Sequence, residues 1–452
     1  MMHASNLSDK RVIIGLGATG LSCARYFNRL QLPFTLMDSR LKPPQLAEFR
    51  KEFPNVAIHL GPFNPSLFQA ASELIVSPGV DLNNAELSLA IAKNKLKPIG
   101  DIELFAQNAR APIIAITGSN AKGTVTSLVG EMITQAKQRV EVGGNIGIPV
   151  LDLLNLPVPD FYVLEISSFQ LEATYTLRPK VATVLNISPD HLDRHKTLKA
   201  YIQAKQRIYH DCEIALWNRQ DPNTYPCAKT KKIISFGLDT LQPDSKEFGL
   251  QRLSNQTYLA QGGKILLAVD KLAVKGQHNW ANALAALAIG QAIQLPLAPM
   301  LTALCQFKGL AHRCQWITEQ AGITWYNDSK ATNVGATLAA LNGLGPAISG
   351  KIILIAGGLA KGADFSLLHD AAARYVKKLI LIGRDAPLLK NALEKSTTVQ
   401  MVSDLAQAVA VAQQTARAGD TVLLSPACAS MDMFKNYEER GDIFIDLVQG
   451  IH

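Results

Sequence analysis

The 452-residue sequence contains no long apolar run, since no stretch approaches the roughly 20 consecutive apolar residues that a membrane-spanning helix requires. The first residues, Met1–Lys10, are short and polar, so we expect no signal peptide there. Low-complexity tracts and internal repeats are also missing, which argues against a disordered or solenoid chain. These absences predict a globular cytoplasmic protein without a membrane partner.

Paired cysteine motifs are absent as well. The six cysteines show neither a CxxC pair nor a zinc-type spacing, so we interpret them as reduced thiols rather than disulfides. The net charge of +8 is spread along the chain instead of forming a basic patch. Dispersed positive charge favours small anionic substrates over nucleic acid, and we expect no nucleic-acid partner.

What the sequence does contain is a regular alternation of short apolar strands with helical segments. Hydrophobic residues make up 48% and charged residues 18%, as in a globular enzyme, and this length suggests about three domains. The alternation is typical of an α/β fold with parallel sheets. We predict three blocks, 1–100, 101–309 and 310–452. Segment 232–275 differs, because short hairpin-like strands around Gly262-Gly263 suggest a small antiparallel appendage.

The first block carries the glycine-rich loop Gly15-Leu16-Gly17-Ala18-Thr19-Gly20 between a predicted strand and a predicted helix. Glycines there allow a tight turn, and the helix N-terminus favours an anion. Asp38 follows the next strand at a distance suited to a ribose contact. A dinucleotide-dependent dehydrogenase would use this pattern, but no residues for hydride transfer are visible. A nucleotide-linked sugar fits the same physics.

The second block opens with another phosphate-type loop, Thr117–Thr124, after the predicted strand Pro112–Ile116. Lys122 could reach terminal phosphates while backbone amides and the helix dipole hold the others. The loop departs from a Walker sequence, because Ala121 precedes the lysine where glycine is usual and Gly123 follows it where Ser or Thr is usual. A plain strand-to-helix turn remains the alternative for this segment.

Twelve segments follow one another over nearly the whole chain. They are GLGATGLS (15–22), VSPGV (76–80), ITGSN-K (116–122), GGNIGIP (143–149), EISSFQLE (165–172), NISPDHLDRH (186–195), AYIQAK (200–205), GQHNWANALAAL (276–287), HR (312–313), NDSKATNVGAT (327–337), KGADFS (361–366) and SPACASMDMFKNYEERG (425–441). Each motif alone is modest, whereas their joint order and spacing are specific, and together they resemble the Mur ligase family.

The resemblance implies three domains: a Rossmann-like N-terminal domain that binds a UDP-sugar, a central P-loop-type ATPase domain with a mostly parallel sheet, and a Rossmann-like C-terminal domain. It implies a ligase that activates a UDP-muramoyl-alanine carboxylate as an acyl phosphate, using ATP and Mg²⁺, before an amine attacks. The DNPR-like segment of the family's diamino-acid-adding members is absent, which favours glutamate, and D-glutamate rests on the resemblance. We expect a monomer with small-molecule substrates only.

Residue roles follow from the same resemblance. The catalytic set is Lys122, Glu165, His191, Lys205 and Lys330; Glu165, His191 and Lys205 would hold Mg²⁺, the last as a carbamylated lysine. The predicted ATP site comprises Gly118, Ser119, Asn120, Ala121, Lys122, Gly123, Thr124, His278, Asn279, Asn282, Arg313 and Asp328. The predicted UDP-sugar site comprises Ala18, Thr19, Asp38, Ser39, Arg40, Ser77, Pro78, Gly79, Asn145 and Gln170. For glutamate the matching positions are Thr332, Lys361, Ser430 and Tyr437.

Several of these residues have simpler structural interpretations. Lys205 reads as an exposed helical lysine, His191 as a strand-end hydrogen bonder, and one of His278, Asn279 and Asn282 as a cap. Cys428 has no visible base nearby, which favours a packed thiol.

Four positions depart from the family pattern: Ala121 and Gly123 in the phosphate loop, and Leu359 and Ala360 where GGDGK is usual. They keep open a weakened or purely UDP-muramoyl-binding protein as an alternative to an active ligase. A folate polyglutamate ligase is a more distant alternative.

Overall fold

The computed structural model describes residues 10–274 and 276–450. Positions 1–9, 275 and 451–452 lie outside the described residues, and with them the predicted polar N-terminus and the last position of segment 232–275. The described chain forms three β-sheets with helices packed against them. No helix in those two ranges is long and apolar enough to cross a membrane.

The first sheet has five parallel strands in the order β3-β2-β1-β4-β5. Its strands are β1 (Lys10–Ile14), β2 (Phe34–Asp38), β3 (Ile58–Leu60), β4 (Ala71–Val76) and β5 (Pro98–Ile99), and its helices are α1 (Ala18–Arg29), α2 (Leu46–Glu52), α3 (Pro65–Gln69) and α4 (Ala85–Lys93). Strands β2 and β3 lie on one side of β1, and β4 and β5 lie on the other side. The strand order therefore reverses at β1. Ligands of open α/β sheets bind at such a reversal, outside the carboxyl ends of the strands.

The second sheet has nine strands in the order β14-β13-β12-β11-β10-β9-β6-β8-β7. These strands are β6 (Ile113–Thr117), β7 (Val140–Gly144), β8 (Phe161–Glu165), β9 (Val181–Val184), β10 (Ile214–Asn218), β11 (Lys232–Thr240), β12 (Phe248–Leu253), β13 (Gln256–Gln261) and β14 (Lys264–Ala268). Strand β6 is buried throughout and lies between β8 and β9, so the loop that follows it opens at the middle of the parallel part.

Helices cover both faces of this sheet. They are α5 (Asp101–Asn108), α6 (Lys122–Gln135), α7 (Val150–Leu153), α8 (Ser168–Glu172), α9 (Leu192–His195), α10 (Leu198–Gln206), α11 (Gln277–Ala292) and α12 (Leu297–Gln306), with 3₁₀ turns at Arg207–Tyr209, Pro222–Thr224 and Val269–Lys271. Ten residues of α11 are buried, and this helix packs against α6 and the sheet in one apolar core.

The prediction for segment 232–275 was wrong in part. Strand β11 pairs in parallel with β10, and β12 begins in parallel with β11, so both extend the central sheet. Only the pairs β12–β13 and β13–β14 are antiparallel, and Gly262-Gly263 forms the turn between the last two, as predicted. The burial of Ile234, Phe236, Phe248 and Leu250 explains the extension, because these side chains complete the core under α11.

The third sheet has six strands in the order β15-β16-β20-β17-β18-β19, of which only the edge strand β15 is antiparallel. Its strands are β15 (Gln315–Gln320), β16 (Ile323–Asn327), β17 (Ile352–Gly357), β18 (Val376–Ile382), β19 (Thr398–Met401) and β20 (Thr421–Leu424). Its helices are α13 (Val334–Leu344), α14 (His369–Tyr375), α15 (Ala386–Leu393), α16 (Leu405–Thr415) and α17 (Tyr437–Gln449), with 3₁₀ turns at Gly345–Ala347 and Phe365–Leu368.

The three sheets fall within the three predicted blocks, and the mostly parallel α/β architecture predicted from the sequence is confirmed. The limits at 100/101 and 309/310 as boundaries of folding units stay a prediction.

Candidate active site

A cavity of about 570 Å³ lies at the carboxyl ends of the first sheet, between that sheet and the loops after β7 and β8. All ten residues of the predicted UDP-sugar site line it: Ala18, Thr19, Asp38, Ser39, Arg40, Ser77, Pro78, Gly79, Asn145 and Gln170. The glycine-rich loop lies against its wall through Gly15 and Gly17. The structure therefore brings this predicted set together in one place.

The Asp38 carboxylate accepts several hydrogen bonds at the wall of this cavity. One carboxylate oxygen accepts from Leu16 N at 2.7 Å, and both oxygens accept from the Arg40 side chain at 2.7 and 2.9 Å. Burial acts to raise the pKa of Asp38, but the hydrogen bonds from Arg40 and from backbone amides outweigh it and leave that pKa below its ordinary value. The Asp38 carboxylate therefore fixes Arg40 at the mouth of the pocket.

Gln170 and Asn145 reach the cavity from the second block, but both side chains also make internal hydrogen bonds. Gln170 Oε1 accepts from Ser167 as part of a capping box at the start of α8, and its Nε2 donates to Asp101. Asn145 Nδ2 donates to Glu165 Oε1 at 2.7 Å. Through Asn145, the wall of the sugar cavity is in direct contact with the carboxylate of Glu165.

The loop after β6 has the shape of a phosphate cradle. Ala121 has φ +65°, a left-handed conformation that is strained for a residue with a Cβ atom. Lys122 opens α6, and its Nζ donates to the carbonyls of Gly118 and Ser119 at 3.0 and 3.1 Å. Burial lowers the pKa of Lys122, and the charge of Glu165 opposes that shift. The ammonium group is thus held by two carbonyl oxygens of the phosphate loop.

Gly123 lies at a close approach between two blocks. A Cβ atom at this position would lie 2.9 Å from Arg313 Nη2 and 3.0 Å from Glu165 Oε2. The missing side chain therefore leaves the space that the Arg313 guanidinium, from the third block, occupies beside Glu165. This packing gives a structural reason for glycine where Ser or Thr is usual.

Glu165 ends β8 and is nearly fully buried. Its Oε1 accepts from Asn145, whereas Oε2 is buried without a hydrogen-bond partner among the residues that the structure describes. An orphaned carboxylate oxygen beside Lys122 and Arg313 is the chemistry of a divalent cation ligand. Mg²⁺ fits this position.

His191 takes the left-handed conformation (φ +54°) just after β9, and its ring packs edge-on against Phe169 at 4.9 Å. Burial lowers its pKa, Asp190 opposes this, and Lys361, Lys122 and Lys205 add to the lowering. A neutral imidazole can donate a nitrogen lone pair to a metal. Across residues 10–274 and 276–450, no three His, Cys, Asp or Glu side chains converge on one metal position, so phosphate oxygens would have to supply further ligands.

Lys205 is not the exposed helical lysine of the simpler interpretation. It is 1% exposed on α10, its Nζ donates to Gly118 O at 2.8 Å, and the ammonium lies 4.7 Å over the Tyr201 ring. Burial is the main cause that lowers its pKa well below the ordinary value, and the nearby charge of Lys122 adds to it. Lys205 thus lies under the phosphate loop, where burial favours the neutral form of its amine over the charged form.

A second cavity, of about 390 Å³, opens between the second and third blocks. Its lining includes eight predicted residues: Asn120, Ala121, Thr124, His278, Asn279, Asn282, Arg313 and Asp328. Gly118, Ser119, Lys122 and Gly123 belong to the phosphate loop at its floor. His278, Asn279 and Asn282 form a hydrogen-bonded row at the start of α11, with 3.1 Å and 3.0 Å between successive partners. The cavity suits a nucleotide whose phosphates reach Lys122.

Lys330 also lines this cavity, from the loop after β16. Its Nζ lies 3.5 Å over the centre of the Tyr437 ring. Burial lowers the pKa of Lys330 to about 8, with a further contribution from the charge of Arg313. Thr332 follows two residues later, and its amide donates to the carbonyl of Lys330.

The predicted glutamate residues Lys361 and Ser430 come from two loops that are joined by backbone pairing. Leu359 and Ala429 exchange both hydrogen bonds, at 2.9 and 3.0 Å, and Ala360 N donates to Asp385. Leu359 and Ala360, which depart from the family pattern, thus both make backbone hydrogen bonds that hold their loop in place. Lys361 has φ +51°, and its charge acts on both His191 and Cys428, so its side chain lies near the metal position and the SPACAS loop. Cys428 is fully buried, and burial raises the pKa of its thiol to about 12, as a packed thiol requires.

Three residues that sequence reasoning did not single out connect these parts. Arg440, on α17 and 1% exposed, donates to the Ser329 carbonyl and hydroxyl and to the Cys428 carbonyl. Arg194 pairs with Glu172 and Asp81 and donates to the carbonyls of Pro78 and Val80. Asn333 joins the third block to the second. All three stood inside quoted motifs, but their partners are distant in sequence and give no local signal.

Comparison with known proteins gives matches along almost the whole chain. Family descriptions match in order: "Mur ligase MurD-like, N-terminal domain" over residues 9–97, "Mur ligase middle domain" over 116–290, and "Mur ligase, glutamate ligase domain" over 312–428. Proteins named UDP-N-acetylmuramoylalanine–D-glutamate ligase are 50% identical in Coxiella burnetii (97% of this chain, 98% of the relative), 50% in Pseudomonas aeruginosa (97% of each) and 48% in Legionella pneumophila (97% and 99%).

Among solved structures, a pseudomurein peptide ligase type C from Methanothermus fervidus matches with a TM-score of 0.62 at 19% identity, over 98% of this chain and all of the other. A UDP-N-acetylmuramate-alanine ligase from Thermotoga maritima matches with a TM-score of 0.61 at 17% identity, over 98% and 100%. At these identities the two structures support the fold alone.

Proposed function

The chain belongs to the Mur ligase family, and we propose that it is the ATP-dependent ligase that adds D-glutamate to UDP-N-acetylmuramoylalanine in peptidoglycan precursor synthesis. The geometric observation that carries this proposal is Asn145. Its side chain lines the sugar cavity and donates to Glu165 beside the phosphate loop. A carboxylate at the end of a bound UDP-sugar would therefore lie next to the terminal phosphate of a nucleotide in the second cavity.

The reaction has two steps. A carboxylate oxygen of the muramoyl-alanine attacks the γ-phosphorus of ATP, the bond to the β-phosphate oxygen breaks, and ADP leaves. The amine of D-glutamate then attacks the acyl carbon, loses a proton, and displaces inorganic phosphate to leave an amide. Mg²⁺, when bound, neutralises charge on the phosphates.

Side chains of this protein supply the positioning and the charge. Lys122, half-buried at the loop, would exchange its carbonyl contacts for phosphate oxygens, and Arg313 would reach them from the space at Gly123. Lys330 presents a cation from the third block, suited to the negative charge of the acyl phosphate and of the tetrahedral intermediate. Glu165 and His191 would hold the metal ion.

We assign Lys205 as a carbamylated lysine. A neutral amine attacks CO₂, a C–N bond forms and a proton leaves, and the product is an anion in place of a cation. The depressed pKa of the buried Lys205 amine supports that step, because only the neutral form is nucleophilic. The carbamate would add an oxygen ligand beside the phosphate loop, where the Lys205 side chain contacts Gly118.

For D-glutamate we propose a site made of Thr332, Lys361, Ser430 and Tyr437. Lys361 suits a side-chain carboxylate, and Ser430 can donate a hydrogen bond to it. The pairing of Leu359 with Ala429 supports this, because it ties the loops of Lys361 and Ser430 to each other. We further propose that the chain acts as a monomer in the cytoplasm; residues of this one chain line each cavity, so neither needs a second subunit to form its walls.

The test is phosphate release by the purified protein with Mg²⁺-ATP, UDP-N-acetylmuramoyl-L-alanine and D-glutamate, with each component omitted in turn. Release that needs all three, and that L-glutamate does not support, is the expected result. The K122A variant is the control for the phosphate loop. Tight binding of the UDP-sugar by calorimetry, without any phosphate release, would contradict the proposal and identify a binding protein.

A further inference from the structure

The start of α13, in the third block, lies directly on two loops of the second block. Asn333 caps this helix, since its Oδ1 accepts from Ala336 N at 2.8 Å. Its Nδ2 donates to Asn120 Oδ1 at 3.2 Å and to Asp190 Oδ2 at 3.0 Å. One buried amide thus joins its own helix, the phosphate loop and the residue just before His191.

The orientation of this amide is fixed by the cap. Because the oxygen of Asn333 is held by the first turn of α13, the nitrogen must point away from the helix toward Asn120 and Asp190. Both acceptors are oxygens, so the amide cannot be turned over without losing three hydrogen bonds. The contact therefore depends on a donor at position 333.

Gly335, two residues later, makes the close approach possible. A Cβ atom there would lie 2.6 Å from Ser188 Oγ, 2.8 Å from Ser188 Cβ and 3.4 Å from Asn120 Nδ2. The first two distances are far shorter than an ordinary van der Waals contact. Ser188 is itself held to the phosphate loop, since its amide donates to Ser119 Oγ and its carbonyl accepts from the same hydroxyl.

We propose that Asn333 and Gly335 are the positioning residues of the closed cleft: they fix the third block on the phosphate loop so that Lys330 and Arg313 reach the reacting groups. We call this the α13 contact, made of Asn333, Gly335, Asn120, Ser188 and Asp190. Lys330 lies three residues before Asn333 on the same loop, so a small displacement of α13 displaces its ammonium group as well. The kinetic part of this inference rests on the proposed ligase function, whereas the closure itself does not.

Two substitutions at Asn333 separate the contact from the helix cap. In N333S the hydroxyl of the shorter side chain still caps α13, but it cannot also donate to both Asn120 and Asp190. In N333D the cap is kept, while the donor is lost and a carboxylate faces that of Asp190. If the α13 contact controls closure, N333D is more impaired than N333S. A residue that only stabilised α13 would give wild-type behaviour in both variants.

The close approach of Gly335 to Ser188 gives an independent test, in which a second substitution should reverse the effect of the first. G335A places a methyl group against Ser188, and S188G removes both atoms that it would meet. We expect G335A to hold the cleft open and the double variant G335A/S188G to close again. S188G alone is the matched control, and we expect it to close.

Closure is measured by small-angle X-ray scattering with Mg²⁺, the non-hydrolysable analogue AMP-PCP and the UDP-sugar. Nucleotide affinity is measured by calorimetry, and kcat/KM for D-glutamate by phosphate release. We expect wild type and G335A/S188G to reach the compact radius of gyration, and N333D and G335A not to reach it. In those two variants kcat/KM for D-glutamate should fall about tenfold or more, and AMP-PCP should bind more weakly, because Arg313 and Asp328 of the third block line the nucleotide cavity.

The inference is overturned if N333D and G335A reach the compact state of the wild type, or if S188G does not restore it in G335A. Failure of the wild type to release phosphate would contradict the proposed function instead. The scattering comparison would still decide the role of the α13 contact.

Discussion

The Lys330 ammonium lies 3.5 Å above the ring of Tyr437, so an aromatic face holds this cation at the cleft. The ring attracts the charge without neutralising it, and the ammonium group stays available to an anionic substrate. Burial nevertheless lowers the pKa of Lys330 to about 8.

This relationship predicts a pH dependence. Below pH 8 Lys330 carries its charge, and above pH 8 it loses the charge that would bind an acyl phosphate. We therefore expect kcat/KM for D-glutamate to fall as the pH rises through about 8. In Y437L the charged form loses its partner, so the falling limb should move to lower pH by up to about one unit. Y437F keeps the ring and should keep the limb in place. Identical profiles for Y437L and wild type would refute the role of the ring.

Strain at Ala121 predicts a gain of stability on substitution. The residue has φ +65°, which costs an alanine about 1 kcal/mol relative to glycine. We expect A121G to raise the free energy of unfolding by about that amount, measured by urea titration. Ala136, at the end of the same helix, has φ −78°, so A136G is the matched control and should lower stability. Equal signs for the two variants would show that strain at Ala121 is not the cause.

The lowered pKa of His278 predicts a loss of folding stability in mild acid. Burial lowers its pKa to about 4, so as the pH falls below 6.5 the unfolded chain binds a proton before the folded one does. The stability contributed by the neutral imidazole is full above pH 6.5 and is lost between pH 6.5 and 4. Urea titrations across this range should show a steeper decline for wild type than for H278Q. Parallel declines would argue against a buried neutral histidine.

The proposed carbamate on Lys205 predicts chemical rescue. K205A should lose most phosphate release and recover part of it with added acetate or formate, which can occupy the space of the carbamate. Carbon NMR of the wild type in ¹³C-bicarbonate should show one carbamate resonance that is missing in K205A. Full activity of K205A irrespective of added short carboxylates would exclude the carbamate, and K199A, a lysine on the exposed side of α10, is the control.

The sequence predicted β1 and β6, the strands before the two glycine-containing loops, because each carries an uninterrupted apolar run (12–14 and 113–116) that ends at such a loop. Strand β7, Val140–Gly144, was not predicted, since its five residues are half-buried and end in two glycines. Strands β10, β15 and β19 were not predicted either; polar residues interrupt β15 and β19, which lie partly exposed at or near sheet edges.

The residues of the candidate site likewise fall into those that the sequence could predict and those that it could not. Asp38 and Lys122 could be predicted because Asp38 ends a strand and Lys122 follows one after a short loop, and parallel strands present their carboxyl ends on one side. Asn333, Arg194 and Arg440 could not, because their roles depend on partners that lie far away along the chain: 213 residues in the pair Asn333–Asn120 and 111 in the pair Arg440–Ser329. Position 205 shows the limit most clearly, since helix periodicity cannot tell a buried lysine from an exposed one.

Asn145 has a consequence for ligand design. It lines the sugar cavity and is bonded to Glu165, which stands beside the phosphate loop of the other cavity. The wall of the sugar cavity is thus linked to the phosphate loop through the contact between Asn145 and Glu165. A compound with one head for each pocket needs only a short linker past Asn145, and the first head would hold the second at a high effective concentration. Two weak fragments joined at this point would bind far more tightly together than either does alone.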